Sequence, residues 1–191
     1  MNREERELLD AAQVGDCALA KEALAAGASP DCRDEGAYTP LHWACQEGHL
    51  EVATLLLSAS ASVDLEDAHG FTPLHKAIGE GHAKLAQLVM AYGANLFLTL
   101  KADGNGTALH SAAAWNRVKC ARLLVEGGAD LEAVDDNGKT PLFYAVEYGH
   151  REVAKLLLAR GANRSIVDGG GKGLLSVAEE GGDQEMIDLL R

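Results

Sequence analysis

Aromatic side chains are scarce in this sequence, at 5% of residues, whereas hydrophobic residues make up 47%. A core built from this composition rests on Leu, Ala and Val, as expected where helices pack closely through small side chains. No apolar run approaches the roughly 20 residues that cross a bilayer, so we expect no membrane association. The first seven residues are too acidic and polar for a signal peptide. We therefore predict a soluble cytoplasmic protein, with the nucleus as a further possible location.

Cysteine is also infrequent, with four residues in the chain, and none of them shows metal-type pair spacing or a secreted disulfide framework. Cys45 and Cys120 fall at apolar positions of a repeating pattern. The sequence therefore predicts that both are buried free thiols.

Basic residues are outnumbered, since 17 Lys and Arg stand against 29 Asp and Glu for a formal charge of −12. The excess is concentrated in residues 1–100, which carry 15 acids and 6 bases. The electrostatic field of this negative charge repels nucleic acid and attracts a basic protein or peptide. We predict no nucleic-acid partner, and a protein or peptide partner with a basic patch.

A repeated pattern runs through the whole chain: a Leu, an Ala three residues later, and a Gly or Asn seven residues after the Leu. The pattern begins at Leu8, Leu41, Leu74, Leu109, Leu142 and Leu175. Successive sets are 33 residues apart, except for one step of 35 residues. A period of this size predicts a stack of equivalent structural units.

The segment 39–71 shows what one repeat contains. Thr39 is a typical N-cap and Pro40 suits the first helical position, where its missing N–H costs nothing. Gly48 supplies the left-handed residue that ends a short helix. A second apolar helix follows, and the Asp-rich residues 62–70 predict a turn or β-hairpin that leads to the next Thr-Pro.

Three of these openings resemble the Thr-Pro-Leu-His signature of ankyrin repeats: Thr39-Pro40-Leu41-His42, Thr72-Pro73-Leu74-His75 and Thr140-Pro141-Leu142-Phe143. The Leu-rich second helices and the following Gly-Ala pairs match the same family over about residues 6–191. The resemblance implies an all-α solenoid of antiparallel helix pairs with short hairpin loops, whose hairpins and first helices form a concave face. It implies a single domain over 1–191: an N-terminal cap repeat at about 6–38, repeats at about 39–71, 72–106, 107–139 and 140–172, and a partial C-terminal cap repeat at 173–191.

Departures from the family pattern are local. The first repeat has charged residues where the signature stands, and the last one opens with Gly173-Leu174-Leu175-Ser176, so both suit capping roles. Ser60 stands where other helices end in Gly, which predicts a small backbone strain. The 35-residue repeat adds two residues within 95–106, which we expect to lengthen that hairpin or disturb its pairing.

The seven histidines do not predict a metal site. Six of them occupy repeated slots, and equivalent slots lie about 10 Å apart, too far to share one ion. Hydrogen bonding to backbone at repeat junctions is the better explanation. Gly169-Gly170-Gly171 lacks the context of a phosphate loop, and Ser111 beside His110 forms no triad. We predict no catalytic residues, no cofactor and no metal, and hence no enzyme.

Positions two, five and six residues after the signature Leu vary between repeats, as do the hairpin tips, and several carry aromatic side chains. Aromatic residues are enriched at interface hot spots. The alternative is that they pack against neighbouring hairpins and stiffen the array, which fits Tyr38 and Phe71 in particular. The predicted protein-binding residues are Trp43, Trp115, Tyr144, Tyr148, Glu47, Lys76, Glu80, Glu147, Tyr38, Phe71, Asp67 and His69.

Acidic residues accompany these aromatics, among them Asp34, Asp67, Asp135 and Glu147, and we expect them to form a charged rim around an apolar groove. The function predicted from this pattern is a non-enzymatic scaffold, monomeric by itself, that binds a basic and apolar partner on its concave face. The alternative is a regulatory, targeting or inhibitory subunit of a larger enzymatic assembly.

Overall fold

The fold, in a computed structural model that describes residues 1–101 and 104–191, is almost entirely helical. The described residues form twelve α-helices and one two-stranded antiparallel sheet. This confirms the predicted all-α repeat architecture with short hairpins. Two residues of the segment 95–106 that holds the predicted insertion, Ala102 and Asp103, lie outside the described residues.

The chain forms two compact units, an N-terminal half (Met1–Asn95) and a C-terminal half (Leu96–Arg191). The N-terminal half contains three helix pairs: α1 Arg3–Val14 with α2 Cys17–Ala25, α3 Pro40–Glu47 with α4 Leu50–Ser58, and α5 Pro73–Glu80 with α6 Ala83–Ala91. The C-terminal half contains β1 Thr99–Leu100, β2 Gly106–Thr107, α7 Ala108–Ala114, α8 Val118–Glu126, α9 Pro141–Glu147, α10 Arg151–Ala159, α11 Leu174–Glu180 and α12 Gln184–Leu190. The prediction of a single domain over 1–191 stays a prediction.

The first helix of each signature repeat begins as its sequence predicts. The Thr39 hydroxyl accepts the His42 N–H at 3.4 Å, and the Thr39 N–H donates to the His42 ring at 3.1 Å. This reciprocal pair satisfies two N–H groups that a helix start otherwise leaves free. Pro40 occupies the first helical position, where a backbone N–H would also be unbonded, and proline has no N–H.

Helix ends confirm the expected role of glycine. Gly48 and Gly81 close α3 and α5 with positive φ angles of 91° and 83°. Ser60 follows α4 with φ of 65°, in the left-handed region that disfavours side chains with a Cβ. The strain predicted for Ser60 is therefore present.

Small and branched aliphatic side chains build the core. The signature leucines are fully buried in the first five repeats, each at 1% exposure or less, and the Ala three residues later is equally buried. In the last repeat Leu174 is buried whereas Leu175 is 39% exposed. Because alanine occupies little space, paired helices approach closely and the core needs few aromatic rings.

Three of the four free cysteines, Cys32, Cys45 and Cys120, are buried, and Cys17 is partly exposed. The prediction for Cys45 and Cys120 is thus confirmed. Burial raises the pKa of all three buried thiols, that of Cys32 to about 11.

Histidines bond to backbone carbonyls of adjacent repeats, as predicted. Rings in the first helices reach forward along the chain, His42 to the Phe71 carbonyl at 2.9 Å and His110 to the Lys139 carbonyl at 3.0 Å. Rings that precede the second helices reach backward, as in His82 to the Gln46 carbonyl at 3.2 Å. Within the described ranges, no three His, Cys, Asp or Glu side chains are grouped to hold a metal ion.

None of the helices in the described residues combines the length and the apolar composition that a membrane span requires.

Candidate functional site

An aspartate in the hairpin turn connects to the following first helix in three repeats. In each case Oδ1 accepts the backbone N–H of the residues two and four positions later, which shapes the turn. The other oxygen bonds to the side chain nine residues later. These pairs are Asp34 with Trp43 Nε1 at 2.9 Å, Asp67 with Lys76 Nζ at 2.9 Å, and Asp135 with the Tyr144 hydroxyl at 2.7 Å.

In the N-terminal half this connection leads to a packed cluster of a cation and aromatic rings. The Lys76 ammonium lies 4.4 Å from the Tyr38 ring centroid and 4.2 Å from that of Phe71. The Tyr38 ring in turn lies 4.8 Å from the Trp43 ring. Lys76 therefore fills an aromatic cradle above Asp67, where cation–π attraction adds to the ion pair.

Electrostatics keep Asp67 charged although it is buried. Burial alone would raise the pKa of Asp67, but the bonds from Lys76 and from the backbone N–H of Phe71 and His69 outweigh burial and hold the pKa below its ordinary value. The anion and the ammonium thus compensate each other within the protein.

The sequence predicted an exposed acidic rim, and this prediction is wrong for Asp67 and Asp135. The Asp67 and Asp135 residues are each 5% exposed, because their oxygens are used by the turn backbone and by the helix side chain. Of the other predicted site residues in this half, Trp43, Tyr38, Phe71 and Lys76 are half-buried. Three are exposed: Glu47, Glu80 and His69.

In the C-terminal half the corresponding surface is open and holds a pocket of about 730 Å³. Its walls include the rings of Trp115, Tyr144 and Tyr148, three residues that the sequence predicted as binding residues. Trp115 is 65% exposed and Tyr148 is 55% exposed, whereas Tyr144 is half-buried with its ring 6.0 Å from that of Tyr148. The structure therefore brings three of the predicted aromatics together around one cavity.

Three small residues line the pocket at positions where a repeat of the N-terminal half has larger side chains. Residues 107–147 lie 68 positions after residues 39–79, since one step of 33 and one of 35 separate them. Tyr38, Trp43 and Gln46 thus correspond to Gly106, Ser111 and Ala114, which line the cavity. Two positions that carry aromatic rings in one half therefore carry a glycine and a serine in the other.

The base of the pocket is held by a polar network. The buried Asp135 carboxylate accepts the hydroxyl of Tyr144, and burial followed by this bond raises the pKa of Tyr144. Hydrogen bonds to Asp135, from Tyr144 first among them, overcome the effect of burial and lower the pKa of that carboxyl. Both groups therefore keep their ordinary protonation state at neutral pH, an anion and a neutral phenol.

Three further ionisable groups border this network. Lys139 donates to both oxygens of Glu147, at 2.7 and 2.8 Å, so the two charges compensate each other beside the pocket. Burial lowers the pKa of His110, which lines the pocket as a neutral ring. The lining itself contains no Lys, Arg, Asp or Glu among the residues that the structure describes.

The sequence did not reveal the pocket, although a signal for it was present. Aromatic residues at variable positions identified its walls, but the pattern gave no weight to Gly106 and Ser111, which leave the space between them. Aligning the repeats slot by slot shows that large side chains are missing at these two positions. Comparing side-chain volumes between repeats would therefore have located the cavity.

The helix pairs, glycine-ended turns and inter-repeat histidine bonds define a helical repeat protein with an open pocket on one of its surfaces. The family model described as ankyrin repeats, three copies, matches residues 8–99 and 94–168. The chain belongs to the ankyrin repeat family, as the signature residues predicted. Members of this family generally mediate protein–protein interaction and are typically non-enzymatic. A search of curated proteins gave no match.

Proposed function

We propose that this ankyrin repeat protein binds a protein or peptide partner through the aromatic pocket of its C-terminal half. Trp115, Tyr144 and Tyr148 are the proposed anchors. The observation that carries the proposal is the exposure of Trp115 and Tyr148, at 65% and 55%, on the walls of a cavity of about 730 Å³.

Energetics favour contact at this place. A buried indole or phenol ring contributes a large apolar area at a low cost in side-chain entropy. Burying the exposed part of Trp115 would contribute roughly 2 to 4 kcal/mol to binding. The Asp135 bond fixes the ring of Tyr144 before a partner arrives, so little ordering cost is added.

The remaining predicted residues take different parts in this proposal. Glu147, beside Tyr148, is a candidate for an outer contact with a basic partner, in keeping with the net charge of −12. The exposed Glu47, Glu80 and His69 remain candidate contact residues of the N-terminal half by itself. The other predicted residues act as a supporting framework, because their side chains bond or stack within the chain: Trp43, Tyr38, Phe71, Lys76 and Asp67.

The test compares partner capture by the wild-type chain and by Trp115→Ala, with Tyr92→Ala as the matched control. Tyr92 is an aromatic residue with 47% exposure at the end of α6 and does not line the pocket. We expect Trp115→Ala to lose the captured protein, by 30-fold or more in affinity, and Tyr92→Ala to retain it.

Because Trp115 is largely exposed, its removal should leave the melting temperature within a few degrees of the wild type. Equal capture by the wild type and Trp115→Ala would overturn the proposal. A melting temperature lowered by more than ten degrees would instead assign Trp115 a structural role.

A further inference from the structure

Asp67 and Asp135 occupy equivalent turn positions, 68 residues apart, but their charges are compensated differently. Oδ2 of Asp67 contacts an ammonium, that of Lys76. Within the described parts of the chain, the donors to Oδ2 of Asp135 are neutral: the Tyr144 hydroxyl at 2.7 Å and the Asn137 amide at 3.3 Å. The C-terminal half therefore holds a buried carboxylate at the hydroxyl end of the Tyr144 ring.

The Lys139 ammonium is held by a different carboxylate, that of Glu147. The Lys139 ammonium lies 5.6 Å from the Tyr144 ring centroid, but both oxygens of Glu147 bind it. The pocket thus combines aromatic walls with a buried carboxylate bonded to one of them, and both features attract a cation.

The shape of the cavity adds a second constraint on what it accepts. The positions in the N-terminal half that correspond to Gly106 and Ser111 carry the flat rings of Tyr38 and Trp43, whose centroids lie 4.8 Å apart with 37° between the ring planes. There the adjacent positive charge is supplied by Lys76. A group that supplied both features to the C-terminal pocket would be flat and positively charged.

We propose that the pocket binds the guanidinium group of an arginine presented by the protein partner. The planar guanidinium stacks on the rings of Trp115, Tyr144 and Tyr148, and it loses hydration more readily than an ammonium does. Ser111 and Tyr148 line the cavity, and a hydroxyl oxygen can accept a guanidinium N–H group. This inference rests on the proposed function and specifies the side chain that the same site recognises.

The test uses synthetic peptides of the form acetyl-Gly-Gly-X-Gly-Gly-amide with the full chain, where X is Arg, citrulline, Lys or Phe. Citrulline has the shape of arginine without its charge. Binding is followed by the NMR shift of the Trp115 indole N–H. We expect the Arg peptide to bind with a millimolar dissociation constant and citrulline to bind about tenfold more weakly. Lys and Phe should fall below Arg.

Three variants check the assignment. Ser111→Trp reproduces the residue found at position 43 and should abolish Arg binding by filling the cavity. Asp135→Asn should remove most of the preference for Arg over citrulline. Asp136→Asn removes a neighbouring exposed charge, and we expect it to leave that preference unchanged.

The preference ratio is measured on the wild-type chain, so it holds even if Asp135→Asn fails to fold. Equal binding of Arg and citrulline, or tighter binding of Phe, would overturn the guanidinium assignment and leave the proposed function standing. Absence of any shift at Trp115 would also overturn it. The capture experiment with Trp115→Ala then decides the proposed function independently.

Discussion

The ammonium nitrogen of Lys76 lies 2.9 Å from Oδ2 of Asp67, and the Asp67 side chain is fully buried. The pair connects a hairpin turn to the first helix that follows it. Two other repeats make the same connection with an indole or a phenol instead of an ammonium. One backbone arrangement therefore accepts three different side chains, provided that each can donate a hydrogen bond.

Replacing Lys76 with Met should destabilise the protein by about 3 kcal/mol, because the buried Asp67 carboxylate loses its counterion. Urea unfolding followed by circular dichroism measures this change. Lys84→Met is the matched control, since Lys84 is exposed on α6, and its effect should stay within about 0.5 kcal/mol. Similar effects of the two substitutions would contradict the structural importance of the ion pair.

Ser60→Gly should stabilise the protein by about 0.5 to 1 kcal/mol. Ser60 has φ of 65°, and glycine adopts this conformation without a steric penalty. The converse change, Gly93→Ser, places a side chain at φ of 90° with no atom within 4 Å of the new Cβ. It should therefore destabilise by about 1 kcal/mol through backbone strain alone. Thermal unfolding of both variants measures whether each substitution raises or lowers the stability. A loss of stability in Ser60→Gly would contradict the prediction.

Gly48→Ala should cost at least 1 kcal/mol more than Gly149→Ala. Both glycines have positive φ, so the backbone penalty is shared. At Gly48 the added Cβ would meet the His82 ring at 2.9 Å, and that ring is held by its bond to the Gln46 carbonyl. At Gly149 the nearest atom, a carboxylate oxygen of Asp183, is 3.9 Å away. Denaturant midpoints of the two variants measure the difference, and equal midpoints would show that the His82 ring moves aside freely.

Stability should fall as the pH drops from about 6.5 towards 4. Burial lowers the pKa of His42 from 6.5 to about 4. Between these two pH values His42 is therefore protonated in the unfolded chain and neutral in the folded chain. His42 alone accounts for about 3 kcal/mol of this loss by pH 4, and none of it above pH 7.5. Urea unfolding between pH 4 and 7.5 should show the slope in the wild type and a shallower slope in His42→Gln. Parallel pH profiles would exclude His42 as the source.

Local signals explain why so much of the fold was predictable. Thr-Pro starts, glycine ends and a 33-residue period each constrain the backbone within a few residues, as Thr39 and Gly48 illustrate. Burial of the acids was not predictable in the same way. Asp67 and Asp135 are adjacent to turn formers, and nothing within a few residues indicates that a side chain nine positions later bends back to bond them.

The candidate site was predicted in part for the same reason. The exposed rings of Trp115 and Tyr148 follow from the helix period, because both lie six residues after a signature Leu. The cavity between them depends instead on the small size of Gly106 and Ser111. No single residue in a sequence marks an empty volume, so the cavity was not predicted. Likewise Trp43 occupies an outward slot, but its bond to Asp34 gives it a place in the framework.

The histidine bonds to adjacent repeats have a consequence for how the protein can be divided. In the N-terminal half, His42 bonds forward to Phe71 and His82 bonds backward to Gln46. Dividing the chain between these two helix pairs would break both bonds, and each side would keep a ring nitrogen or a carbonyl without its partner. Unfolding of one helix pair therefore destabilises its neighbour. We expect a truncated chain to keep its stability only if the new terminus leaves these inter-repeat histidine bonds unbroken.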